Sequence, residues 1–130
     1  RECRRIRQRI QELGGIDIAI LGMGADGHVG LNYPAETLPA FAHQTDASTL
    51  RHAMLDAAQG TPTHGLTLGM GEILEARQIV LVVNGAGKAE AVARLSKGEI
   101  TTRFPASLLW LHHNVFFFTD RAAVTNEQYR

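Results

Sequence analysis

A single cysteine, Cys3, stands in the whole sequence, so no disulfide framework can form within the chain, and a reducing compartment suits it. Charge of one sign is equally scarce: 13 Lys and Arg balance 13 Asp and Glu. That balance removes the broad positive field on which nucleic-acid or acidic-membrane binding depends. No apolar run approaches the ~18 residues of a membrane span, and the basic start from Arg1 to Arg9 is not followed by a signal-peptide core. The expected setting is cytoplasmic, with neither membrane nor nucleic acid as partner. Ile6, Ile10 and Leu13 fall at helical spacing within and after the basic cluster, which therefore reads as the solvated side of an amphipathic helix.

What is present is enough for one modest core: 130 residues, 45% of them hydrophobic. The spacing predicts a helix over 4–13 closed by Gly14-Gly15, because glycine reaches the left-handed backbone of a helix stop. Ile16 to Leu21 is a short apolar run ended by Gly22, and reads as a central parallel strand. Gln78 to Val83 is the clearest buried strand, followed by an amphipathic helix from about Lys88 to Leu95. Val115 to Thr119 reads as a third buried strand, after a short helix opened by Pro105. A helix over 48–58, a strand at His64 to Leu68 and a helical turn from Gly71 to Ala76 complete the reading. Trp110 and Phe116 to Phe118 are expected in the core. Alternating strands and helices argue for an α/β, Rossmann-like layered fold with a mainly parallel sheet flanked by helices.

Ligand crevices of such sheets lie beyond the carboxyl ends of the strands. Gly22-Met23-Gly24-Ala25-Asp26-Gly27 sits there and matches G-x-G-x-x-G, with Asp46 downstream. Gly30, Pro34 and Pro39, however, leave no room for the helix that a dinucleotide pyrophosphate would need at that point. What remains is Asp26-Gly27-His28, a carboxylate two residues from an imidazole that it can orient as a general acid/base. Asn84 to Lys88 offers backbone amides, a helix start and an ammonium group, the parts of a phosphate subsite. Val82 and Ala89 exclude a P-loop there. Neither His112-His113 nor the scattered His43, His52 and His64 has cysteine or carboxylate support at metal-ligand spacing, so no metal is expected.

These blocks resemble the glucosamine-6-phosphate deaminase/isomerase family. The carriers are Leu21 to Pro34, Leu66 to Arg77, Gly85 to Lys88 and Pro105 to His112, with the galactosamine-6-phosphate branch as the nearest echo. The resemblance implies ring opening of an aminosugar 6-phosphate, aldose-to-ketose isomerisation and release of ammonia, without cofactor. It makes His28 the ring-opening acid/base supported by Asp26, Lys88 a phosphate ligand, Arg51 a second one, and Gly24, Gly27 and Asn32 parts of the substrate loop.

Tyr33 stands where deaminases of the family carry Glu, and a phenol, with a reference pKa near ~10, cannot take a proton from His28 as a carboxylate would. The sister 6-phosphogluconolactonases have an aromatic residue there, so lactone hydrolysis is an alternative, as is a non-catalytic sugar-phosphate binding domain. Asn32 and Gly69-Met70-Gly71 are deaminase-like. The family's proton-abstracting carboxylate and its main phosphate loop precede everything seen here. Residues 1–130 are therefore expected to be one C-terminal segment of an incomplete domain, inactive alone and exposing apolar faces, in which a homo-oligomer is left open.

Overall fold

A computed structural model describes residues 1–46 and 62–124. The helix expected over 48–58, with Arg51 and His52, lies outside the described residues.

Helix α1 (Glu2–Glu12) ends where its glycines require. Gly14 and Gly15 have φ of 83° and 98°, and their amides return to the carbonyls of Gln11 and Ile10, satisfying helix-end acceptors. No residue of α1 is fully buried. Leu13, expected on the apolar side, is 65% exposed. Arg7 instead reaches inward, paired with Glu72 at 3.2 Å and lying 3.7 Å over the Phe41 ring.

Three strands form the main sheet: β1 (Ile18–Leu21), β4 (Gln78–Val83) and β5 (Val115–Thr119), in the order β1-β4-β5 and all parallel. Between them in sequence lie β2 (His43–Asp46), β3 (His64–Thr67), α2 (Met70–Leu74) and α3 (Ala89–Ser96). This is the α/β layered arrangement with a parallel sheet that the alternation of elements predicts. Strand β2 escapes the sequence reading. It pairs antiparallel with β3 in a separate two-stranded sheet, and its residues His43-Gln44-Thr45-Asp46 carry no apolar signal. The segment Pro105–Leu111 is a 3₁₀ helix with Pro105 in its first turn. Among the described residues, no helix is long and apolar enough to cross a membrane.

Register fixes which side chains share a face, since successive residues of a strand point to opposite sides. Ala19, Ile79 and Val115 align, as do Leu21, Leu81 and Phe117. On that side Ile79, Leu81 and Val83 are buried against Val92 and Leu95 of α3 and against Phe104, Ala106 and Leu109. Each fully buried aliphatic side chain there contributes about 1.5–3 kcal/mol of transfer free energy.

The opposite face is largely exposed among the described residues. Ile20, Val80 and Phe116 align, and Val82 aligns with Phe118, yet Ile20 is 76% and Phe118 56% exposed. Two expectations are thereby corrected. Strand β1 is an edge rather than a central strand among the described residues, with only β4 beside it. Strand β5 is likewise an edge among the described residues, and Phe116, Phe117 and Phe118 are all exposed, because such a run is buried throughout only where a further strand lies beside it and both sides of the sheet are packed. Trp110, also expected in the core, is exposed and holds its place by an indole N–H bond to the Leu95 carbonyl at 2.8 Å.

Candidate functional site

The carboxyl ends of β1 and β4 place the two loops of interest side by side. From Gly22 to Pro39 the chain forms no helix or strand, so no helix opens at the G-x-G-x-x-G match. The loop is instead closed on itself: the Gly24 amide bonds the His28 carbonyl and the Gly27 amide bonds the Gly24 carbonyl, both at 2.9 Å. Gly27 has φ of 86°, and the Phe104 ring occupies the space that a β-carbon there would need. The Gly27 carbonyl accepts the Ala106 amide at 2.9 Å. Glycine is thus required at 27 for both conformation and space.

Within this ring Asp26 and His28 meet. Asp26 Oδ1 accepts the His28 backbone amide at 3.1 Å and contacts imidazole Nδ1 at 2.6 Å. An ionised carboxylate only accepts, so Nδ1 carries the proton of this bond. Partial burial pushes the Asp26 carboxyl up, but the His28 amide and ring, and then the imidazolium charge, outweigh it and hold the pKa below the ordinary value. The His28 side chain is 13% exposed and that of Asp26 49%, so the pair lies at the surface of the loop with the ring mostly covered. The Tyr33 ring lies 4.8 Å from that of His28, tilted by 42°.

Lys88 comes from the second loop. Its ammonium donates to the Met23 carbonyl at 2.7 Å, on the residue just before Gly24, against which the His28 ring packs. Lys88 and His28 are therefore brought to neighbouring residues of one loop. The left-handed Gly85 (φ 92°) turns the chain into the 3₁₀ segment Ala86–Lys88. Its amide is held by both carboxylate oxygens of Asp120, at 3.0 and 3.2 Å, so that amide serves the fold rather than a ligand. Asn32 is 1% exposed. Its Nδ2 donates to the carbonyls of Val29 and Leu68 at 3.0 and 2.9 Å, so it braces the loop from within. Arg51 lies outside the described residues.

Two contributors escaped the sequence reading. Thr67 Oγ1 accepts the Leu31 amide at 3.1 Å, across 36 positions. Asp120 was legible in principle: an Asp preceding a short helix is a cap signal, and its side chain does accept the Ala123 amide at 2.9 Å. Among the described residues, no group of three or more His, Cys, Asp and Glu could hold a metal ion.

Residues 1–118 match the family model described as glucosamine-6-phosphate isomerases/6-phosphogluconolactonase. A protein of Escherichia coli (strain K12), provisionally named deaminase AgaI, is 45% identical over 115 residues, which is 87% of this chain and 46% of that protein. A glucosamine-6-phosphate deaminase of Clostridium perfringens (strain 13) is 40% identical, over 94% of this chain and 52% of the relative. The solved structure of a monomeric glucosamine-6-phosphate deaminase superposes with a TM-score of 0.85 at 38% identity, over 94% of this chain and 52% of the other. A 6-phosphogluconolactonase from Plasmodium vivax, 16% identical over 90% of this chain and 49% of its own, shares the fold with a TM-score of 0.64. The chain spans about half the length of the curated relatives it matches. On the match over residues 1–118 and the shared fold, the chain belongs to the glucosamine-6-phosphate isomerase/6-phosphogluconolactonase family.

Proposed function

We propose that this chain is part of an aminosugar-6-phosphate deaminase/isomerase, converting glucosamine or galactosamine 6-phosphate to a ketose 6-phosphate and ammonia. The single observation that carries the reading is the Asp26–His28 pair at 2.6 Å, set beyond the carboxyl end of a parallel strand with its imidazole packed on Gly24, the residue after the lysine-bound Met23 carbonyl. His28 Nε2 takes the proton of the anomeric hydroxyl and returns one to the ring oxygen as the bond from C1 to that oxygen breaks. Asp26 holds the ring in one tautomer and stabilises its charged form. Lys88, with Arg51, binds the phosphate. Gly24 and Gly27 let the substrate loop come close, and Asn32 keeps it in place. The carboxylate that moves the carbon-bound proton lies outside these 130 residues, in a protein that works in the cytoplasm.

Ammonia release from either aminosugar phosphate, by a preparation of the whole protein, tests this. His28→Ala should lower it by about 10²–10⁴-fold. Absence of ammonia from both sugars in a folded preparation would sink the proposal.

Tyr33 supports a second reading, lactone hydrolysis, because it puts a phenol rather than a carboxylate 4.8 Å from the imidazole. Hydrolysis of 6-phosphogluconolactone above background, lost on His28→Ala, would favour it. Names and identities of 38–45% support the deaminase, whereas the lactonase likeness rests on Tyr33, the shared family model and the fold.

A further inference from the structure

We propose that Thr67 is a positioning residue for His28, acting through the Val29–Asn32 turn; the inference rests on the acid/base role given to His28 above. The hydroxyl lies at the end of β3 and makes two bonds with opposite polarity. It accepts the Leu31 amide at 3.1 Å and donates to the Leu68 carbonyl at 3.1 Å. That same carbonyl accepts Asn32 Nδ2 at 2.9 Å, so one hydroxyl orders both contacts between the β3–α2 junction and the loop.

From Asn32 the connection to His28 is short. Val29 and Asn32 exchange backbone bonds at 3.0 and 3.3 Å, and Asn32 Nδ2 uses its second hydrogen on the Val29 carbonyl. Val29 is fully buried and directly follows His28. Asn32 Oδ1 is buried without a hydrogen-bond partner among the described residues. That costs free energy, and Asn32 is kept inside only if its remaining bonds are secure. The turn is also fitted closely to the threonine: a β-carbon on Gly30, whose φ is 58°, would lie 2.8 Å from Thr67 Oγ1. A glycine there, and a hydroxyl opposite it, are needed together.

Thr67→Val removes the hydroxyl at nearly constant volume, and Thr67→Ser keeps it. With the valine variant, the Leu31 amide of this chain should exchange with solvent about tenfold faster, the effect of one net hydrogen bond. In the whole protein kcat should fall about tenfold with KM within twofold of wild type, and the acidic limb of the pH profile should move. Thr67→Ser should stay near wild type in all three. Unchanged exchange in Thr67→Val, or a serine variant as impaired as valine, would overturn the proposal. So would a valine variant that raises KM while leaving kcat intact. Should Thr67→Val not fold, Thr67→Ala takes its place; if neither folds while Thr67→Ser is native, the hydroxyl is structural only and the positioning role is refuted. A wild-type protein that releases no ammonia removes the reading of His28 as a deaminase acid/base. The exchange rate and the His28 ring resonances of this chain then still decide whether Thr67 holds the turn.

Discussion

The His28 imidazole packs directly on Gly24, filling the space a β-carbon at that position would occupy. Gly24 lacks the positive φ of Gly27, so side-chain space alone forbids a larger residue there. Gly24→Ala should therefore displace the ring and spare the fold. Ammonia release should drop by about 10²-fold or more, while the circular dichroism spectrum keeps its native shape. Unchanged activity would show that the ring position in this loop is irrelevant to the chemistry.

Asp26 links the loop to pH. Its carboxyl is more acidic in the fold than in an unfolded chain, so its contribution to stability is present above the ordinary carboxylate range and is lost as pH falls through the depressed folded value. Asp26→Asn should be less stable than wild type near neutrality, and the gap should close in acid. Denaturant melts at neutral pH and well below the carboxylate range would measure it. A gap that persists in acid would mean that charge is not its source.

Lys88 makes a prediction about substrates. Replacing it with Met deletes a charge-assisted bond of about 1.5–3 kcal/mol, so KM for the phosphorylated aminosugar should rise by about 10- to 100-fold. Turnover of the unphosphorylated sugar, measured at the same concentrations, should change far less. Equal losses on both would identify Lys88 as a tether for the Met23 carbonyl alone.

Tyr33→Glu puts a carboxyl where the aromatic ring now contacts His28. Under the deaminase reading the rate of ammonia release should increase, by up to about 10²-fold for a restored proton acceptor. Under the lactonase reading it should not, and lactone hydrolysis should be the activity that responds.

Much of this was legible in the sequence because it is local. Asp26 and His28 are two residues apart, and glycines on both sides announce their loop. Strand β4 is an apolar run ended by Asn84-Gly85, and α1 stops at two glycines that the backbone does use in left-handed form. The contacts that hold the loop from outside were not legible. Thr67 meets Leu31 across 36 positions and Asp120 meets Gly85 across 35, distances at which sequence pattern carries no signal. Strand β2 has no hydrophobic alternation to reveal it. The burial of Phe116 to Phe118 was misjudged for another reason, since composition marks a strand as fit for burial without saying whether a second layer is present to bury it.

The exposed side of the sheet has a thermodynamic consequence. Denaturant m-values and the heat capacity of unfolding both scale with apolar surface newly wetted when a chain unfolds. Ile18, Ile20, Val82, Phe116 and Phe118 are already about half exposed or more, so a large share of their contribution to both quantities is spent before unfolding begins. The isolated chain should melt with a shallower denaturant slope and a flatter temperature curve than other domains of its length, and cover placed over those five side chains should steepen both.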